Sequence, residues 1–243
     1  GLVLDSLDAV LAAAIAEGVT PGAALVIGGP DGVARSRGYG ALDWAAGSPS
    51  VTDASLYDLA SLTKVVGTTT AFMLLSERGA VDLDAPLSRY LPVWPTGGWR
   101  DAVTIRRLLQ HRAGLAPFVR FWHPSGGALR GADAVVAAIA ALEPAYTPGS
   151  RTTYSDLGFI LLGAAAEAIT ARPLDAWLDA EVWTPLGMHD TGFLPLDAGA
   201  DPARIAPTEV DTIFRHAHVH GVVHDENAFA MGGVAGHAGL FST

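Results

Sequence analysis

Cysteine is absent from the 243 residues, so disulfides and thiolate-held metals are excluded, and cysteine usage carries no compartment signal. Long apolar runs are also missing: the alanine-rich stretches are broken by Glu, Asp, Gly or Pro, and none approaches a membrane span. Positive charge is scarce. The formal net charge is -10, which argues against nucleic acid and anionic membrane surfaces as partners. No charged segment followed by an apolar core opens the sequence, and cytoplasmic and exported locations both stay open. Half of the residues (50%) are hydrophobic, enough to bury a substantial core and to exclude extended disorder.

The sharpest deficit is lysine. Lys64 is the one lysine, against fourteen arginines. Arginine supplies every other cationic side chain, so surface solubility does not account for Lys64. A guanidinium keeps its proton in a protein, whereas an ammonium can lose it when desolvated or crowded by cations. Lys64 stands three residues after Ser61 in Ser61-Leu62-Thr63-Lys64. That spacing puts both side chains on one face of a helix. A hydroxyl with a titratable amine beside it is the pairing that acyl-transfer serine enzymes need. Ser-x-x-Lys also arises by chance, so its context decides.

The pattern along the chain reads as a helix over 2–17 stopped by Gly18, a strand over 22–28, a turn at Gly29-Pro30-Asp31-Gly32 and a strand over 33–44, the strands forming a hairpin. Further helices are expected over 61–78, 104–110, 132–142, 157–171 and 174–183. From Phe193 onward glycine, proline and histidine dominate and helical signals fade, so loops are expected. The division is 1–60 (helix and hairpin), 61–195 (mainly helical) and 196–243 (a Gly/His-rich region).

Tyr154-Ser155-Asp156 lies between the Pro148-Gly149 turn and the apolar run 157–171, where a tyrosine can project into a cleft. A phenol near an ammonium can act as a general base, although most loop tyrosines merely face solvent. Five of the eight histidines fall between 216 and 237, and His216, His218, His220 and His224-Asp225-Glu226 raise the alternative of a metal hydrolase. Their spacing matches no zinc signature, and a polar loop is the plainer reading. No serine sits in Gly-x-Ser-x-Gly, which disfavours an α/β-hydrolase.

Together, Ser61-Leu-Thr-Lys64 and Tyr154-Ser-Asp156 resemble the first two motifs of the serine β-lactamase and penicillin-recognising superfamily, nearest its class C and esterase branch. Three longer segments extend the resemblance: Thr104-Ile-Arg-Arg-Leu-Leu-Gln-His111-Arg-Ala-Gly114-Leu, the run Tyr146-Thr-Pro148-Gly149 through Tyr154 to Gly163, and Pro185-Leu-Gly-Met188-His-Asp-Thr191. The resemblance implies an α+β, β-lactamase/transpeptidase-like fold, with a helical domain packed on a mixed α/β domain. It implies a serine hydrolase in which Ser61 is acylated, Lys64 is its partner and Tyr154 activates water. No cofactor or metal is implied. The substrate would be a small ester, acyl compound or peptide, and the oligomeric state is open.

Many members carry Asn where this chain has Asp156. An amide can donate a hydrogen bond to a substrate carbonyl and a carboxylate cannot, which tilts the reading toward esters. The alternatives are a D-alanyl-D-alanine carboxypeptidase or β-lactamase on the same scaffold, or an inactive binding or regulatory domain. His237-Ala238-Gly239 fits the form of the family's third motif, and His237 and Gly239 join Asp156 as candidate substrate-binding residues. In similar members, however, the Gly232-Gly-Val-Ala-Gly-His237-Ala-Gly239 run precedes another helix, and the third motif follows on a later strand. That strand, with one of two oxyanion donors, is expected beyond Thr243. The 243-residue stretch alone is then expected to be a weak catalyst.

Overall fold

The computed structural model describes residues 2–122 and 129–243. Helix α1 (Leu2–Ala16) ends just before Gly18, whose φ of +73° lets the chain turn back. Although its apolar residues recur at helical spacing, Leu7 and Val10 are exposed. A polar contact holds the helix to the hairpin instead: the Asp8 carboxylate accepts from Arg35, Arg37 and the Tyr39 hydroxyl. Strands β1 (Gly22–Gly29) and β2 (Gly32–Gly40) form the expected antiparallel hairpin. The second strand stops at Gly40, short of the expected residue 44, because Gly40 turns at φ +66° and Ala41 bridges to Ser50 instead.

The stretch read as one helix from Ser61 has three pitches. Strand β3 (Tyr57–Asp58) leads into a tight 3₁₀ turn, Ala60–Leu62. A wide π-type turn, Lys64–Thr69, follows, and only then α2 (Thr70–Glu77). The polar side chains of this entry turn bond outside it. Thr68 Oγ1 donates to the Gly236 carbonyl at 2.7 Å, and Thr63 Oγ1 accepts from the Leu240 N–H at 3.1 Å. Such widened turns mark places where a local pattern is bent to serve a site.

Helix α3 (Ile105–Leu109) is capped by Thr104, and α4 (Ala132–Ala140) follows. Helix α5 (Asp156–Thr170) is capped by Ser155 and forms the centre of the core. Leu157 and Phe159 through Leu162 are all buried, as expected of a helix that is apolar nearly all round. The next expected helix splits into α6 (Leu174–Leu178) and a second wide turn, Asp179–Trp183.

The last third is not all loop. Strand β4 (Gly192–Phe193) precedes a small antiparallel pair, β5 (Glu209–Asp211) and β6 (Ala217–Val219). Helix α7 (Glu226–Ala230) and strand β7 (Leu240–Ser242) complete the chain. β7 is the middle strand of a three-stranded antiparallel sheet, between β3 and β4. Elements of two to five residues are too short to show a hydrophobic period, so local pattern reading passes over them.

Gly236, a few residues before β7, lies directly against α5. A Cβ built on Gly236 would sit 2.2 Å from the Phe159 carbonyl oxygen, and one on Gly163 would sit 2.9 Å from the Gly236 nitrogen. Two glycines thus let backbone meet backbone, which brings the 237 peptide to the buried end of Lys64. Gly236→Ala should lower stability by about 1–3 kcal/mol through overpacking, read as a lower urea midpoint in the full-length protein; an unchanged midpoint would show that the contact yields freely.

Candidate active site

Ser61 is exposed at the surface of its 3₁₀ turn. The preceding Ala60 adopts a left-handed φ of +46°, and its N–H donates to Asp58 Oδ1 at 2.7 Å. Burial pushes the Asp58 carboxyl above its ordinary range, against the lowering effect of hydrogen bonds from the His224 and Ala60 N–H groups. Lys64, two residues beyond the turn, is only 3% exposed. A buried ammonium without partners would cost several kcal/mol. Lys64 Nζ has three: it donates to Ser61 Oγ at 2.8 Å and to the His237 carbonyl at 3.0 Å, and lies 2.7 Å from Asp156 Oδ1. The Asp156 contact is ionic, outside hydrogen-bond geometry, and leaves that oxygen without a hydrogen bond of its own.

Tyr154 closes the other side. Its ring is half exposed, and Lys64 Nζ lies 4.9 Å from the ring centroid, within cation–π range. His111 lies against the same ring, with centroids 4.5 Å apart. His111 appeared in the sequence only inside a family-like segment and was given no role there. It stands at φ +57°, its Nδ1 accepts the Ser155 N–H at 3.0 Å, and its carbonyl accepts the Thr153 N–H at 2.8 Å. His111 therefore fixes the turn that carries Tyr154. Burial first, then the positive charge of Lys64, lower the His111 pKa, against the opposing pull of Asp156.

Of the six residues singled out from sequence, Ser61, Lys64, Tyr154 and Asp156 gather around one nitrogen. His237 joins them through its carbonyl; its imidazole is 1% exposed and points to Asp225, with Nε2 2.9 Å from Oδ1. Gly239 lies in the turn before β7 at φ +112°, where a Cβ would come within 2.5 Å of the Gly233 carbonyl oxygen. His218, His220 and His224 take different polar partners, although the His218 and His220 rings stack with centroids 6.3 Å apart. His218 lies 3.5 Å from Asp43, His220 Nε2 contacts the Pro202 and Ile205 carbonyls, and His224 Nδ1 lies 3.7 Å from Glu209. Among the described residues no three His, Cys, Asp or Glu side chains are grouped to hold a metal ion.

The family model described as Beta-lactamase matches residues 7–243. The chain belongs to the beta-lactamase family. A protein of Escherichia coli strain K12 named "Putative D-alanyl-D-alanine carboxypeptidase" is 36% identical over 210 residues, covering 79% of this chain and 48% of that protein. This chain thus spans about half the length of the curated relatives it matches. Among solved structures, the octameric penicillin-binding protein homologue from Pyrococcus abyssi superposes with a TM-score of 0.77 at 22% identity, over 99% of this chain and 53% of that one. EstCE1, a hydrolase with promiscuous acyltransferase activity, gives a TM-score of 0.74 at 24% identity, over 98% and 68%. The fold is the β-lactamase/transpeptidase-like one that the motifs implied.

The lowered His111 pKa has a sign that solution measurements can read. As pH falls through about 6.5, the unfolded chain takes up a proton at this residue before the folded one does. The His111 contribution is therefore complete above that pH and lost below it. His111→Asn keeps an acceptor for the Ser155 N–H but does not titrate, so the loss of stability between about pH 7.5 and 5.5 should be smaller in that variant, by urea midpoints.

Proposed function

We propose that this chain carries the acylating residues of a serine hydrolase that cleaves carboxylic esters or related acyl substrates through an acyl-enzyme. The contact that supports this most directly is the 2.8 Å hydrogen bond from Lys64 Nζ to an exposed Ser61 Oγ. Ser61 Oγ attacks the substrate carbonyl carbon, and the Ser61 proton passes to the site's base. The leaving alcohol then departs protonated, and water releases the acid and restores Ser61. The Lys64 ammonium opposes the negative charge that develops on Oγ. Tyr154, over the same ammonium, is the group assigned to activate water. The conjunction of Ser61, Lys64 and Tyr154 disfavours an inactive binding domain.

Asp156 supports esters over amides. Its carboxylate faces Lys64 and cannot donate to an acyl-amide carbonyl. A D-alanyl-D-alanine carboxypeptidase remains the second reading, favoured by the name of the 36% identical relative.

A fluorophosphonate probe should label the full-length protein at Ser61, and Ser61→Ala should not be labelled. Lys64→Arg should slow labelling by roughly a hundredfold or more, because the planar guanidinium cannot reproduce a point ammonium among three partners. Near-normal labelling of Lys64→Arg would overturn the role given to that lysine. Asp156→Asn should raise the ratio of amide to ester turnover by about tenfold, the worth of one good hydrogen bond to the substrate carbonyl; an unchanged ratio would remove the argument from Asp156.

A further inference from the structure

We propose that Asp225 and His237 form a positioning pair that holds the His237 carbonyl on the Lys64 ammonium, and so keeps Nζ on the Ser61 hydroxyl. The proposal rests on the reading of Ser61 and Lys64 as the reacting pair. The His237 ring reaches no substrate cleft: it is buried, and its bond is to Asp225. Burial raises the Asp225 carboxyl, but the His237 hydrogen bond and charge, the Ala228 N–H and Lys64 together outweigh burial and hold it below the ordinary carboxyl range. Asp225 is then an acceptor only, so His237 Nε2 carries the hydrogen and donates. The other ring nitrogen, Nδ1, is buried and has no hydrogen-bond partner among the described residues.

The main chain around His237 needs such an anchor. Gly236 and Gly239 flank the His237-Ala238 dipeptide, and Gly239 stands at φ +112°. Glycine leaves backbone rotation cheap, so the direction of the 237 carbonyl is set by what grips the residue. Asp225 is itself fixed. Its Oδ1 also accepts the Ala228 N–H at 2.8 Å and so caps α7. Next to it, the His224 N–H donates to Asp58 Oδ2 at 2.7 Å, and Asp58 Oδ1 holds the Ala60 N–H beside the nucleophile. Within α7, the fully buried Asn227 accepts the Phe121 N–H and donates to the Val119 carbonyl, both at 3.0 Å. The segment it grips also carries the Pro117 carbonyl, which accepts the Asp156 N–H at 2.9 Å. The turn bearing Asp225 is thus tied to both the Ser61 turn and the start of α5. The His237–Asp225 bond passes that placement to the side chain of residue 237, beside the Thr68 bond that holds the preceding Gly236 carbonyl.

The test is acylation of the full-length protein by a fluorophosphonate, with the maximal rate constant and the half-saturating concentration measured separately. His237→Leu keeps bulk and removes the donor; its maximal rate should fall by roughly 10–100-fold, the loss of one charge-assisted hydrogen bond, while half-saturation stays within about twofold. His237→Gln can return an N–H to Asp225 and should recover most of the rate, a rescue that a merely space-filling histidine would not show. Asp225→Asn keeps shape and an acceptor but removes the charge, and should lose part of the rate; it carries the test alone if His237→Leu does not fold. Wild-type rates in folded His237→Leu or in Asp225→Asn, an equal loss in His237→Gln, or a change confined to half-saturation would overturn the proposal. Failure of the wild-type protein to label at Ser61 would instead overturn the proposed function.

Discussion

One buried ammonium sets the demands that the rest of the structure meets. Lys64 is nearly sealed from water, and desolvating a charge is tolerable only when partners surround it. Its three oxygen neighbours come from three separate parts of the chain: Ser61 from the entry turn, Asp156 from the first residue of α5, and the His237 carbonyl from the run before β7. The three parts must be held together for the ammonium to stay satisfied. The fold does this with backbone contact at Gly163 and Gly236, with Thr68 bonded to the Gly236 carbonyl, and with β7 paired between β3 and β4.

The same demand accounts for the uneven helix at the site. A regular α-helix from Ser61 would satisfy its own backbone but point Thr63 and Thr68, five residues apart, to different faces. Instead a 3₁₀ turn presents Ser61 outward, and a wide turn sends Lys64 inward between Thr63 and Thr68, both fully buried and both bonded to the 236–240 strip. An exposed hydroxyl next to a buried cation is a combination that uniform helical pitch supplies poorly, since positions three apart share a face. Around this core of contacts His111 plays the same part for Tyr154 that the proposed Asp225–His237 pair plays for Lys64: a side chain shapes main chain, and main chain aims a side chain of the candidate site.

Much of the site was legible in the residues. A lone lysine three positions from a serine, and a tyrosine between a Pro-Gly turn and an apolar helix, are local statements, and the structure brings all of these side chains to one point. The helices with strong apolar content, α4 and α5 above all, fell close to where their patterns put them. Legibility failed where the deciding contacts were remote. β7 has three residues and exists because β3 and β4 flank it. α1 carries a helical apolar spacing but docks through Asp8 and the arginines of β2. The histidines of 216–224 look like a metal cluster along the chain, yet His218, His220 and His224 take different polar partners, and only the His218 and His220 rings stack on each other.

The sequence by itself determined the chemistry on offer: which hydroxyl, which amine, which phenol, and a carboxylate at 156. Side-chain identity and short-range spacing are properties of the chain alone. Tertiary structure decided how those groups are aimed and tied. That the Lys64 ammonium meets a carbonyl from residue 237, that His111 shapes the tyrosine turn, and that His237 turns its ring to Asp225 rather than toward the Ser61 surface all depend on close approach between segments far apart in sequence. No local propensity encodes such an approach, because its energy comes from burial and from hydrogen bonds that exist only when both partners have arrived.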